Sequence, residues 1–238
     1  MTPPKSASTP ISPSKSAALS RVLDLVTKGY TRYIGGTCPA SKAIRLAQKL
    51  NEKYAIGCSP AQRITRRQKG WANAALVMYW PGSGEGSSPP SGEGSNGFER
   101  TPEHGTEVHA EPSANSALTP AVEVRWLMLV TAGDGPVVEQ ESLADVNGAH
   151  RLLWLGYELV RLPKRGGVVW TWRRPKAEMA EWYALLGDQL ARRQMSAVAE
   201  SLRRMARQPG FSGVRQQGWE LVQFARGRGY AGEVPYLF

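Results

Sequence analysis

The sequence predicts an α+β protein, because the spacing of its apolar residues changes along the chain. Apolar residues recur with helical spacing in residues 17–80 and with a period of two after residue 121. Between these parts, residues 81–120 are rich in Gly, Ser, Pro and Glu. We therefore expect an N-terminal helical basic region, a flexible linker over 81–120, and an α+β region over 121–238 with a small antiparallel sheet, a hairpin and C-terminal helices.

The positive charge is concentrated in the first third of the chain. The 238 residues include 30 Lys or Arg and 20 Asp or Glu, for a net charge of +10. Residues 1–80 hold 13 basic residues against 2 acidic ones, whereas residues 81–120 hold 1 against 6. A one-sided positive field attracts phosphates, so this asymmetry predicts a nucleic-acid partner for residues 17–80.

The first 16 residues are rich in Pro, Ser and Lys, which predicts a disordered basic arm over 1–16. They lack the apolar centre of a secretory signal, and no apolar run approaches the roughly 20 residues that span a bilayer. We therefore expect a cytoplasmic protein with no membrane partner. In that compartment, Cys38 and Cys58 are expected to be reduced thiols.

Two helices are predicted on either side of a connection at Gly35 and Gly36. The first covers residues 17–30, and the second follows a cap at Ser41. The second helix has an apolar stripe and, on its other side, basic residues at every fourth position. The stripe consists of Ala43, Leu46, Ala47, Leu50 and Tyr54, and the basic positions are Arg45, Lys49 and Lys53.

Ser59 followed by Pro60 predicts the start of a third helix, because the hydroxyl can cap it and proline is tolerated at its first position. One face of this helix carries Arg63, Arg66 and Arg67, followed by Lys69. A different stripe, which we expect to be buried, carries Ile64, Trp71 and Ala75. The 46–67 region is similar in style to a helix-turn-helix, although residues 51–54 lengthen its first helix. Residues 75–80 could also form a strand.

After the linker, the pattern predicts a strand over 121–131, a short helix over 141–147 and a hairpin over 151–174. The hairpin strands, 151–162 and 167–174, flank a loop over 163–166, and the loop length pairs Leu159 with Trp170. Lys164 and Arg165 lie at the tip, where they could act as a wing on DNA. Helical spacing then predicts helices over 176–207, with a break near Gly187, and over 213–226.

The sequence gives no motif for catalysis, a cofactor or a metal. No two histidines flank one apolar residue, as metal-dependent relaxases require, and no glycine-rich loop ends in Gly-Lys-Ser/Thr. His104 and His109 fall within the predicted flexible linker, where no third ligand or rigid scaffold holds them. If the chain were an enzyme, Glu158, Arg161 and Arg173 would be the first candidates, but Glu158 and Arg173 are better explained as a cross-strand ion pair.

These observations favour a nonenzymatic DNA-binding accessory or regulatory protein, in the setting of plasmid or phage replication, transfer or transcription, with DNA favoured over RNA. The predicted nucleic-acid-binding residues are Arg45, Lys49, Lys53, Arg63, Arg66, Arg67, Lys69, Lys164 and Arg165. Two alternatives are a protein-interaction module whose partner binds the C-terminal helices and a nucleic-acid-processing enzyme with an unfamiliar site. We also expect the parts on either side of the linker to close one shared core, because a sheet of about three strands is marginal alone.

Overall fold

The computed structural model describes residues 11–12, 14–81, 123–164 and 166–236, and it confirms the α+β class. These residues form seven α-helices and two sheets. In chain order, the elements are β1 (Ile11–Ser12), α1 (Lys15–Thr27), β2 (Arg32–Pro39), α2 (Ala40–Tyr54), α3 (Pro60–Gln68), β3 (Ala74–Tyr79), β4 (Glu123–Val130), α4 (Pro136–Gln140), β5 (Ala144–Asp145), β6 (Leu153–Trp154), β7 (Tyr157–Lys164), β8 (Gly167–Arg173), α5 (Lys176–Ala191), α6 (Met195–Ala206) and α7 (Ser212–Gly227).

The larger sheet combines strands from both sides of the predicted linker. Its order is β1-β3-β4-β2-β5, so β4 lies between the two long strands of the N-terminal part. Met128 of β4 is paired with Leu76 of β3 on one side and with Ile34 of β2 on the other. The expectation of a shared core is met in this sheet. The linker itself falls outside the described residues from position 82 to position 120.

Two segments of the N-terminal part differ from the sequence prediction. Gly35 and Gly36 are not a connection but lie within β2, where a Cβ at Gly35 would approach the carbonyl oxygen of Trp126 to 2.8 Å. Only glycine lets the backbones of β2 and β4 approach this closely. Close backbone approach, besides a bulge or a bend, is a common reason for glycine within a strand. The predicted arm over 1–16 is too long, since Ile11 pairs in parallel with Met78 and α1 begins at Lys15; residues 1–10 lie outside the described residues.

Alternating side chains give the larger sheet two apolar faces. Val77 and Leu129 are on the face that packs against α1. Met78, Met128 and Val130 are on the opposite face, where α2 packs. Because both faces are covered by helices, these strands are apolar at successive positions rather than alternately polar and apolar.

The second sheet, β6-β7-β8, corrects the predicted hairpin. The long first strand is interrupted at Leu155 and Gly156, which both have positive φ angles, and Leu153 is 60% exposed. Lys164 pairs with Gly167, so the loop is two residues long and Leu159 pairs with Trp172, not with Trp170. The register differs by two residues, an even number, so Leu159 and Trp172 still share a buried face.

The smaller sheet is joined to the rest of the molecule through Trp172. This side chain is fully buried, and its indole nitrogen donates a hydrogen bond to the carbonyl oxygen of Leu19 in α1 at 2.9 Å. On the other side, Gly213 in the first turn of α7 packs against β8, and a Cβ there would lie 2.5 Å from the carbonyl oxygen of Trp172. A single tryptophan thus connects α1, β8 and the start of α7.

The C-terminal helices form a third apolar cluster that includes Leu186, Leu202 and Leu221. The predicted 176–207 helix is two helices, because the chain turns at Arg193, which has a φ of 57°, and not at Gly187. The predicted helix over 213–226 agrees with α7. The predicted helix over 141–147 is wrong, since α4 precedes it and Ala144–Asp145 form β5.

No helix within the described ranges is long and apolar enough to cross a bilayer. Cys38 and Cys58 are both free thiols, as the sequence predicts. Burial raises the pKa of the Cys38 thiol.

Candidate nucleic-acid interface

Helix α2 has the two faces that its sequence predicts. Ala43, Ala47, Leu50 and Tyr54 are buried against the larger sheet. The opposite positions, Arg45, Lys49 and Lys53, are exposed. The predicted cap at Ser41 is wrong, because Pro39 occupies the N-cap position and no side chain caps the helix. Apolar burial, rather than capping, holds α2.

The start of α3 matches the prediction in detail. The Ser59 hydroxyl accepts a hydrogen bond from the Gln62 amide at 3.3 Å, and the Gln62 side chain accepts one from the Ser59 amide at 2.8 Å. This reciprocal pair is a capping box, and Pro60 occupies the first turn. The capping box fixes where α3 begins, so the arginines that follow have a defined position on the surface.

No residue of α3 is buried, which distinguishes it from the other long helices of the structure. Arg63 holds it to the body through three hydrogen bonds. Its guanidinium donates to the carbonyl oxygens of Cys58 and Ile56 and to the Tyr30 hydroxyl, each at 3.0 Å. Arg63 is therefore a structural anchor between α3, its preceding turn and the end of α1.

The two other arginines of α3 differ in how firmly they are held. Arg66 donates to the Ala72 carbonyl oxygen at 3.0 Å. Within the described residues, the Arg67 side chain makes only one hydrogen bond, a long one of 3.4 Å to the Lys28 carbonyl oxygen, and it is exposed. Arg67 is thus the arginine of this helix that is freest to contact a ligand, whereas the prediction treated the three as equivalent.

The stripe predicted to be buried on α3 is largely exposed. Ile64 is 60% exposed and Trp71 is 49% exposed, and only Ala75 is buried, in β3. Trp71 does not follow the helical spacing, because α3 ends at Gln68. Ile64 lies within α3 but on its exposed side. Arg66 and Lys69 lie 5.8 and 5.4 Å from the centre of the Trp71 ring, where a cation and an aromatic face attract each other.

The basic residues of α2 and α3 have few acidic neighbours. Lys53 pairs with Glu141 at 3.5 Å, and Tyr54 also donates to Glu141. A side-chain hydrogen bond with Tyr54 is the largest cause that raises the pKa of Lys53. Within the described ranges, no ion pair is formed by Arg45, Lys49, Arg67 or Lys69. All four side chains are exposed.

The two concave surfaces beside α3 were not predicted from the sequence. A cavity of about 530 Å³ includes Lys53, Arg66 and Trp71 in its lining, and one of about 770 Å³ lies between α1 and α3. The second is lined by Arg21 of α1, by Lys28 just after α1, and by Arg67. Sequence spacing could not reveal this, because the two helices meet only through long-range packing.

The hairpin is well formed, but only part of its basic tip is described. Lys164 is exposed at the end of β7, and Arg165 lies outside the described residues. On the strands, Glu158 pairs with Arg173 at 3.0 Å and with Arg151 at 3.3 Å, which confirms the predicted cross-strand ion pair. A wing contact with DNA stays a prediction.

Among the described residues, no group of three His, Cys, Asp or Glu side chains is placed to hold a metal ion. Comparison of the chain with protein-family models, with curated proteins and with solved structures finds no match. The geometry and charge of the surface around α3 therefore carry the functional proposal.

Proposed function

We propose that the protein is a nonenzymatic DNA-binding accessory or regulatory protein that presents α3 to the duplex. The observation that carries this proposal is a basic helix with no buried residue that is nevertheless fixed in place by a capping box and by Arg63. A helix that only completes the fold would bury an apolar stripe. Here the exposed Ile64 and Gln68 point to an external surface.

The composition of the exposed face suits a DNA groove. The major groove of B-DNA is wide enough for an α-helix, and glutamine and arginine can hydrogen-bond to base edges there. Gln68 and Arg67 are exposed near the end of α3, and Ile64 offers an apolar contact to a thymine methyl group. In double-stranded RNA the major groove is deep and narrow, which is why DNA is favoured.

The surrounding basic residues supply contacts that do not depend on the base sequence of the DNA. Arg45 and Lys49 on α2 and Lys69 after α3 are exposed and would contact phosphates. Trp71 adds an aromatic face beside Lys69. Plasmid or phage replication, transfer or transcription are settings in which such a protein would act, and they remain part of the proposal.

The test is duplex binding measured by fluorescence anisotropy at several salt concentrations, with Arg67→Ala/Lys69→Ala against the native chain. Loss of the Arg67 contact in the groove and of the Lys69 phosphate contact should weaken binding at least about tenfold and reduce the slope of log affinity against log salt by about one to two. The matched control is Arg192→Ala/Arg203→Ala, which removes the same charge from the C-terminal cap of α5 and from α6. Equal weakening by both pairs would contradict the assignment to α3.

The salt dependence also separates this proposal from the protein-interaction alternative. Counterion release makes DNA affinity fall steeply between about 50 and 200 mM salt, whereas an apolar protein interface is much less sensitive. Gln68→Ala should reduce discrimination between duplex sequences more than it reduces nonspecific affinity. Absence of salt-sensitive binding to any duplex, single strand or RNA would reject a nucleic-acid partner and favour the C-terminal helices as a protein-docking region.

A further inference from the structure

The cavity between α1 and α3 has the dimensions of a small-molecule site. Its volume is about 770 Å³, within the range in which proteins bind compact organic ligands. Its lining combines charged residues from α3, from α1 and from the position after α1 with apolar and polar residues, some of which are buried and some exposed. The lining residues that matter most are Lys28, Tyr30, Arg63, Ile64, Arg67 and Asn73.

The charge of the cavity favours a ligand with more than one negative charge. Four cations line it: Arg21, Lys28, Arg63 and Arg67. The acid that pairs with them is Asp24, which lies 3.0 Å from Arg21 and 2.9 Å from Lys28. Three positive charges therefore remain uncompensated by described residues. A phosphate ester or polyphosphate matches this excess better than a single carboxylate does.

Two buried polar groups offer hydrogen bonds to a ligand. Tyr30 is 6% exposed, and its hydroxyl accepts from Arg63, which leaves its own proton available. Asn73 is 3% exposed; its amide nitrogen donates to the Arg63 carbonyl oxygen at 3.0 Å, but its Oδ1 has no partner among the described residues. A buried acceptor without a partner is unusual, and a ligand with an N–H or O–H donor would satisfy it.

Part of the remaining wall is apolar, and Gln68 adds a polar side chain to it. Leu25 and Pro60 line the cavity, together with Ile64, whose exposure is unusual for an isoleucine on a helix. Apolar contacts beside guanidinium groups suit the flat face of an organic ring rather than a bare anion. The ligand is therefore defined by three properties: several negative charges, a ring with an apolar face, and at least one N–H or O–H donor.

We propose that this cavity binds a free nucleoside phosphate, with its phosphates at Lys28 and Arg67 and its base or sugar donors directed to Asn73. Nucleotides combine all three required properties. Ile64 and Arg67, which line this cavity, are also among the residues proposed to contact a duplex, so a bound nucleotide and a duplex would compete for them. Nucleotide binding is tested without DNA, and its outcome is therefore separate from that of the duplex measurement.

The test is isothermal titration calorimetry of the full chain with ATP, GTP, CTP and UTP in parallel, and with inorganic phosphate and adenosine as the two halves of the ligand. At least one nucleotide should bind with a Kd of about 10–100 μM, and each half should bind at least about tenfold more weakly. Failure of all four nucleotides would overturn the proposal, as would inorganic phosphate binding as tightly as the best nucleotide. Neither result would alter the outcome of the duplex measurement.

Variants locate the binding in the cavity. Lys28→Ala/Arg67→Ala should weaken nucleotide binding at least about tenfold, whereas Arg45→Ala/Lys69→Ala, with the same loss of charge outside the lining, should change it less than about twofold. Ile64→Asp should also abolish binding, and the neighbouring Thr65→Asp should not. Each variant is first checked for an unchanged melting temperature. Equal loss in the two double variants would show general attraction to a basic surface and would reject the site.

Discussion

Helices α2 and α3 are consecutive and both basic, yet different forces hold them to the body. Four residues of α2 are buried against the larger sheet, and no side chain caps it. No residue of α3 is buried, and it depends on a capping box and on arginine hydrogen bonds to backbone carbonyl oxygens. The comparison teaches that a short polar helix can be fixed without a core, which leaves its whole outer surface available for binding.

We expect the largest loss of stability from a substitution that removes an apolar contact between α2 and the larger sheet. Leu50→Ala removes a side chain that is 8% exposed, so we expect it to lower the free energy of unfolding by about 2–4 kcal/mol. Ile44→Ala is the matched control, because Ile44 lies on the same helix but is 54% exposed, and it should cost less than about 0.5 kcal/mol. Urea denaturation measures both, and similar losses would mean that the buried face of α2 is wrongly assigned.

The next largest loss of stability is expected when the hydrogen bonds that hold α3 to the body are removed. Arg63→Met keeps a long side chain but removes the donors to Cys58, Ile56 and Tyr30, and it should cost about 1–3 kcal/mol. Arg45→Met, on the exposed face of α2, should cost less than about 0.5 kcal/mol. Equal stability of the two variants in urea would show that these hydrogen bonds do not anchor the helix.

The difference between the helices was only partly visible in the sequence. The spacing of Leu50 and Tyr54 identified the buried face of α2, and Ser59-Pro60 identified the start of α3, because both signals are local. The role of Arg63 depends on Tyr30, which is 33 positions away, and local spacing carries no such information. Helix spacing also placed Trp71 in a buried stripe although α3 ends before it.

The sheets show the same division between local and long-range information. The pairing of β4 with both β2 and β3 follows from nothing in the local sequence, and Gly35 looked like part of a turn. In the hairpin, the two-residue error in register left Leu159 and Trp172 on the predicted face, since side chains alternate with a period of two. The class of fold and the burial of apolar residues are thus easier to predict than the pairing of strands. The nucleic-acid contacts of Arg67 and Lys164 stay predictions.

A smaller effect concerns the two helix starts. Ser59→Ala removes the capping oxygen of α3 and should cost about 1 kcal/mol. Ser41→Ala is the control in α2, where the serine caps nothing, so its cost should stay below about 0.5 kcal/mol. Thermal unfolding of the two variants under identical conditions measures this contrast. A larger loss from Ser41→Ala would show that α2 also depends on a cap.

The smallest effect concerns the end of α2 and depends on pH. Burial raises the pKa of Tyr54 above its ordinary value, and the hydrogen bond to Glu141 raises it further. Because the folded state holds the phenol in its neutral form, the stability that depends on Tyr54 is present below about pH 10 and is lost as pH rises through the folded-state pKa. The pKa of Lys53 is also raised, and Lys53 likewise loses its positive charge as pH rises.

Tyr54→Phe isolates this contribution, because it removes the ionisable hydroxyl and keeps the buried ring. Its melting temperature should lie below that of the native chain at about pH 8, since the hydrogen bond to Glu141 is lost, and should fall less than that of the native chain between about pH 9 and pH 11. Other tyrosines with raised pKa values, such as Tyr33 and Tyr157, are present in both proteins and cancel in the comparison. Glu141→Gln keeps an acceptor but removes the carboxylate charge, so its alkaline loss should lie between the two. Parallel curves for Tyr54→Phe and the native chain would show that the end of α2, like its middle, is held by apolar burial alone.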